Sequence, residues 1–256
     1  MRRRSQFHFV TLLMAGFAGS LHAAPGDTEL LFDIVINGGS FSAPAAALAA
    51  ARTNPDAQIL LIETTDWLGG QATSQGVSAI DNSYHAPANS IMRLNETTYY
   101  PADYLDWLDR MKNAPVFEPG EGYSGSSGWV SRHCYDPRTG AWALDEMVAE
   151  VPNITLMKLT VLKSTTTVNL TDEVGAGKKI TELRLIQRTP VGGYVPFTDF
   201  LSNELPDWYA LADSPRFTKE TFTVTARDVD TGLVVIEASE LGDAMVLSGA
   251  TYTQGR

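Results

Sequence analysis

Two glycines, a serine and an acid carry the first chemical signal in this 256-residue chain. Gly38 and Gly39 follow the apolar run "DIVI" at 33–36, and Ser40 and Ala43 stand where a G-x-G-x-x-G phosphate loop has its second and third glycines. Such a turn admits a pyrophosphate because glycine takes backbone angles closed to other residues and lets peptide N–H groups come close. The helix after the turn adds the positive end of its dipole. Ser40 is small and carries a hydroxyl donor; Ala43 is the accepted alternative to the third glycine, where helix and strand pack tightly. Glu63 ends the run "QILLIE", 25 residues after Gly38, close to where an acid accepts from the ribose hydroxyls of an adenosine. A carboxylate there repels a 2′-phosphate, which argues against NADP. On the residues alone a second reading stands beside this one: an ordinary βαβ unit whose glycines only turn the chain.

For that chemistry the turn must sit between a buried strand and a helix, and the acid at the end of a neighbouring strand. "DIVI" is short and apolar throughout, as a strand covered on both faces is. The Ala-rich stretch to Arg52 has strong helix propensity, and Pro55 in "NPDA" stops it. Short connections in the order β-α-β imply parallel strands joined by a right-handed crossover. From Thr64 to Pro152 the periodicity weakens. "DWLGGQATSQGVSAIDN" reads as a loop in contact with something, "PADYLDWLDRMKN" (101–113) as an amphipathic helix on Tyr104, Leu105, Leu108 and Met111, and "AWALDEMVAEV" (141–151) as another helix. From 154 the pattern turns strand-like in "ITLMKLTVLKSTTTVNL", "KKITELRLIQR", "ETFTVTARDV" and "GLVVIEAS", interrupted by "NELPDWYALADSPRF" as a loop or short helix. The fold class expected is α/β: a Rossmann-type parallel sheet with a helical insertion and a β-rich crossover segment before the last strand. The nucleotide-binding core is expected at 33–70 and 151–252, with the insertion at 71–150, in a domain running over 30–256.

"DIVINGGSFSAPAAALAAAR" followed by "ILLIETTDWLGGQATSQGV" resembles the FAD-dependent oxidoreductases of the glutathione-reductase-like Rossmann superfamily. Within it the resemblance is to a secreted branch, some members of which carry a xanthan lyase label. In that branch the middle glycine is commonly a small hydroxyl residue, as Ser40 is here. "GWVSRHCYDP" (128–137) and "VVIEASELGDAMVLSGATY" (234–252) are similar to further blocks of the family, in family order. The resemblance implies FAD as cofactor. It places Gly38, Gly39, Ser40, Phe41, Ser42 and Ala43 in the pyrophosphate turn and Glu63 on the adenosine ribose. Trp67, Gly69, Gly70, Gln71 and Thr73 would lie along the FAD toward the flavin, and Val161 would meet the adenine from an edge strand. Ala238, Ser239 and Glu240 would close the turn after the last strand, with Gly242 and Asp243 beside it. Members of the family usually run on past the length of this chain. The expectation is therefore a C-terminally truncated form or half of a split protein, with a partner chain supplying the rest. A non-catalytic remnant or binding module is the competing reading, and a carbohydrate-active lyase or hydrolase a third.

Composition bounds the partners. With 44% hydrophobic residues the chain can bury a full core, and a net charge of −11 argues against nucleic acid as a partner. The start, "MRRRSQFHFVTLLMAGFAGSLHAAPGD", has the basic, apolar and small-residue regions of a secretory leader, with cleavage expected after Ala23. Its loss removes Arg2, Arg3 and Arg4 and no acid, which takes the net charge from −11 to −14. The apolar part is shorter than the ~20 residues a spanning helix needs, so no stable membrane anchor is expected after cleavage. The paired arginines raise twin-arginine export, but Ser5 and Gln6 fit ordinary secretion better. The localisation expected is exported, periplasmic or extracellular, with a small-molecule substrate.

No catalytic acid or base stands out. His85 and His133 are the histidines left after the leader, and the sequence around His133, Cys134 and Asp136 lacks the ligand spacing of a zinc site. Cys134 is the single cysteine, which excludes an internal disulfide framework and reads as a small buried residue. "GYSGSSG" lacks the G-x-S-x-G of a nucleophile elbow. Trp107, Trp129, Trp142, Tyr99 and Tyr100 read mostly as core, and Asp103, Asp106 and Asp109 as a solvated helix face rather than a glycosidase pair. The triplets at Asn95, Asn153 and Asn169 fit the glycosylation pattern, which matters only in a eukaryotic secretory pathway.

Overall fold

A computed structural model describes residues 26–80, 100–117, 122–123, 133–172 and 175–254. The leader, His85, Asn95, Tyr99 and Trp129 lie outside the described residues. The chain runs β1 (Thr28–Phe32), β2 (Ile34–Asn37), α1 (Ser42–Thr53), β3 (Ile59–Ile62), α2 (Ala102–Lys112), α3 (Pro137–Ala149) and β4 (Ile154–Met157). It continues with β5 (Thr160–Asp172), β6 (Gly175–Pro190), α4 (Leu201–Tyr209), β7 (Phe217–Ala226), β8 (Val234–Glu237) and α5 (Asp243–Ser248). A single 3₁₀ turn covers Gly70–Ala72.

Two sheets result. The strands β4-β3-β2-β8 form a wholly parallel sheet in that order. The other sheet has the order β1-β7-β6-β5; β5, β6 and β7 are antiparallel neighbours, and β1 joins β7 in parallel. Side chains alternate along a strand, so the parallel sheet splits its apolar residues between two cores. Ile36, Ile59 and Leu61 face a core shared with α1, α2 and α3, through Ala47, Leu108, Trp107 and Leu144. Val35, Leu60 and Ile62 face the second sheet, against Leu162, Leu183, Leu185 and Val224. The architecture is therefore three layers: helices, parallel sheet, antiparallel sheet. Each residue of β3 is 1% exposed or less, and burying one such aliphatic side chain contributes about 1.5–3 kcal/mol. This is why "ILLI" shows no polar alternation in sequence.

Local rules explain most boundaries. Asp136 caps α3, its carboxylate accepting from the Arg138 N–H at 2.7 Å, and Pro137 takes the first helical position, where no donor is missed. Two acids of α2 are ion-pair partners: Asp103 holds Arg52 of α1, and Asp106 shares Arg110 with Glu150. Several boundaries depart from the sequence reading, α3 among them, which runs over Pro137–Ala149 rather than 141–151. "ITLMKLTVLKSTTTVNL" is two strands in different sheets, β4 and β5, separated by Leu159 in the left-handed region at φ 54°. The strand β1 precedes the first expected one. The chain changes sheet at Asp33, whose carboxylate accepts from the Gln58 N–H and from Arg227.

Candidate FAD site

A cavity of about 680 Å³ opens where β2, β3 and β8 end. From β2 the chain moves to β3 and β4 on one side, while β8 lies on the other, so the cavity sits at the switch point where open α/β sheets bind ligands. Its volume falls within the roughly 300–1,000 Å³ usual for ligand sites.

Two glycines make the crevice close enough. Gly38 is at φ 93°, and a Cβ there would lie 2.2 Å from the Cα of Ser239. The exits of β2 and β8 therefore touch backbone to backbone. A Cβ on Gly39 would lie 2.3 Å from Glu63 Oε2 and 2.8 Å from Leu68 Cδ2. The glycine pair thus brings three strand ends together, besides turning the chain. The turn is tied down by Gly69 N–H to Gly39 O at 2.7 Å and Ser40 N–H to Ala238 O at 3.3 Å. The Ser40 and Ser42 hydroxyls are hydrogen-bonded at 3.0 Å.

Glu63 is buried, and its Oε1 accepts from the Thr65 N–H at 2.6 Å and the Thr64 hydroxyl at 3.1 Å. Among the described residues nothing donates to Oε2, which borders the cavity beside Gly39. That oxygen is the acceptor a ribose hydroxyl needs. On the β8 side, Glu237 accepts from the Asn37 amide at 3.0 Å, the Ser239 N–H at 2.7 Å and the Ala244 N–H at 2.6 Å. It holds the turn that carries Ser239, Glu240 and Asp243 to the rim.

The expected residues divide by position. Gly38, Gly39, Ser40, Glu63, Trp67, Gly70, Ser239, Glu240 and Asp243 all line the one cavity. Phe41, Ser42, Ala43, Gly69, Gln71, Thr73, Val161, Ala238 and Gly242 do not. Phe41 turns its ring to Trp107 at 4.8 Å, in the helical layer. Ala43 is fully buried under the sheet. Thr73 donates to Leu68 O, and a Cβ on Gly69 would meet its side chain at 2.6 Å. Gln71 is exposed at the surface beside them. Ala238 contributes its carbonyl to Ser40, and Gly242, at φ 71°, precedes α5. Val161 is fully buried with Trp208 and Phe217.

Sequence reasoning passed over one wall. Phe197, Leu201, Leu205 and Trp208, from the connection between β6 and β7, also face the cavity. Their only signal was aromatic density in and just before "NELPDWYALADSPRF", a stretch read as a loop or short helix. His133 is 8% exposed and shares its Nδ1 with the Tyr123 hydroxyl, away from the cavity, and Cys134 is half-buried. No group of three or more metal-ligating side chains occurs among the described residues.

The sequence model of the family described as FAD dependent oxidoreductase matches residues 33–190. The chain belongs to this family. FAD is its cofactor, and the crevice fits that group: glycines where any Cβ would intrude, a helix behind the turn, and a free carboxylate oxygen at the end of β3. No curated protein matches the chain. Among solved structures it is similar to THI4 of Thermovibrio ammonificans, at 13% identity and TM-score 0.44, over 87% of this chain and 64% of that one. It is similar also to a geranylgeranyl bacteriochlorophyll reductase-like protein of Thermoplasma acidophilum (15% identity, TM-score 0.36, 82% and 40% covered). A further similarity is to adenylylsulfate reductase of Archaeoglobus fulgidus (17%, 0.36, 83% and 30%). The chain spans 64% or less of the length of each.

Proposed function

We propose that this chain is the FAD-binding part of an exported oxidoreductase acting on a small-molecule or carbohydrate-related substrate. The observation that carries the reading is that Gly38, Gly39 and Glu63 border one cavity at the switch point of a parallel sheet. In this reading the core at 33–70 and 151–252 holds the ADP half, and α2 and α3 back the sheet on its helical face. Bound FAD supplies hydride and electron transfer. The residues supply position: the Gly38–Gly39 turn and the start of α1 receive the pyrophosphate, and Glu63 Oε2 accepts from the ribose. Ser239 and Glu240 border the pyrophosphate turn from the β8 side. Export is supported by the three-part leader at 1–23.

The test is a visible spectrum of the full chain, purified from the exported fraction, before and after incubation with FAD and desalting. A retained flavin spectrum supports the reading, and retention should fall in Glu63→Gln by about tenfold in affinity, one charge-assisted hydrogen bond being worth roughly 1.5 kcal/mol. A colourless protein after incubation would favour the non-binding remnant.

A further inference from the structure

The connection between β6 and β7 is not a tight hairpin. It runs through 191–216, carries α4, and brings Pro196, Phe197, Leu201, Leu205 and Trp208 over the open end of β3. We propose that Phe197, Leu201 and Leu205, mounted on Trp208, form the wall on which the adenine ring of the cofactor stacks. The inference rests on the reading of this cavity as the FAD site and assigns the residues that recognise one end of it.

Position comes first. Arg188 of β6 is 1% exposed and donates its Nη2–H to the carbonyl of Thr64, the residue directly after Glu63. Its guanidinium lies 4.3 Å from the Trp208 ring, so one side chain joins the wall to the end of β3. The wall therefore stands beside the ribose acceptor, where the base attached to that sugar must lie.

The wall is also fixed in advance. Glu204, fully buried on α4, accepts from the Phe197 N–H at 2.9 Å, the Trp208 indole N–H at 3.3 Å and the Tyr194 hydroxyl. Phe197 and Trp208 meet edge to face at 5.8 Å. Phe197 holds φ at 64°, a left-handed conformation costly for a bulky residue, and one that such a site retains only when the surroundings enforce it. Glu204 enforces it through the backbone, and the ring is thereby presented at the cavity. Tyr209 ends α4 and donates to Asp243 Oδ2 at 2.9 Å, closing the segment onto the β8 turn. Val161, which the family resemblance places on adenine, lies behind this wall in the same cluster as Trp208.

Phe197→Gly separates stacking from folding, since glycine suits the left-handed angle while the ring is lost. Leu201→Ser, at a site 51% exposed in the native chain, removes apolar surface without opening the core. Affinities for FAD, ADP and FMN are measured by titration calorimetry, with melting temperatures alongside. Base stacking on an aromatic ring predicts a loss of about tenfold or more for both FAD and ADP in Phe197→Gly, a few-fold loss in Leu201→Ser, and unchanged FMN. Melting temperature should shift by only a few degrees in Phe197→Gly, relief of the left-handed angle offsetting part of the lost Phe197–Trp208 contact. Unchanged ADP and FAD affinity in both variants overturns the wall while leaving the FAD site standing. Loss of FMN with ADP unchanged overturns it too, by assigning the wall to the flavin. A native chain that binds neither FAD nor ADP overturns both the wall and the reading beneath it.

Discussion

Glu63 and Gly39 show how much a single Cβ decides. In Gly39→Ala the new methyl meets Glu63 Oε2 at 2.3 Å, so the carboxylate must leave its place or the turn must move. FAD affinity should fall at least tenfold, and apo melting temperature should fall as well, because Leu68 is displaced on the same side. A loss of FAD with no loss of apo stability would refute this packing role and leave phosphate contact as the only one. Asp27 makes a different prediction. Its side chain is 1% exposed and accepts from Arg184 at 2.7 and 2.9 Å and from the Thr221 and Thr223 hydroxyls. Burial alone raises its pKa, but the hydrogen bonds and charge of Arg184, with both threonines, outweigh that and hold it below the usual carboxylate range. A depressed folded pKa gives stability above the unfolded value of about 3.9, lost as pH falls through the folded value. Asp27→Asn should cost about 2 kcal/mol in urea unfolding at pH 7, with the difference from the native chain shrinking below about pH 4. A constant difference across that range would contradict the assignment.

At the scale of elements, α3 starts at Pro137, four residues before the Ala141 at which its apolar spacing was read to begin. Asp136 before Pro137 is a cap followed by a first-turn proline, and the structure has both. Asp136→Ala should cost about 1 kcal/mol and lower the melting temperature by about 2–4 °C, while an unshifted melt would mean the cap contributes nothing. β2, α1 and β3 were legible, since a buried strand, an alanine helix and a second buried strand each have one dominant pattern. β1 was not. Its five residues alternate weakly, and their partner, β7, lies nearly 200 residues away. The division between β4 and β5 was hidden for a related reason: both are strand-like, and only Lys158 and a left-handed Leu159 lie between them.

The whole molecule sets the electrostatics of binding. Glu63, Asp66, Asp199, Glu240 and Asp243 line the cavity, and no lysine, arginine or histidine stands among its described lining residues. The chain as a whole carries −11. An anionic dinucleotide entering this cavity would therefore meet a repulsive field, and backbone dipoles and apolar contact would have to hold it. Repulsion between like charges is screened by salt, with a Debye length of about 30 Å at 0.01 M and 8 Å at 0.15 M. FAD should therefore bind faster and more tightly as ionic strength rises over that range, in stopped-flow fluorescence quenching. Weaker binding with added salt would show that cations outside the described residues govern entry. Arg188 does not change this sign. Burial pushes its pKa down to about 10, so it stays protonated at neutral pH, but it lies behind Trp208 rather than in the cavity.

By itself the sequence determined the turn, the acid and the layer that carries them, because these depend on local pattern: glycines after an apolar run, an alanine helix, an acid at a strand end. It also indicated the cofactor class, through a resemblance to the family whose model matches residues 33–190. Only the tertiary structure decided which of those residues share a cavity. Phe41, Thr73 and Val161 lie near the site in sequence or by resemblance, yet their side chains serve the cores. The wall at 197–208 comes from a connection more than 130 residues beyond Glu63 and was placed by one buried arginine and one buried glutamate. A chain's periodicity reports which face of an element is buried. It carries no record of which distant loop will lie across the end of a strand, because that is fixed by packing between layers.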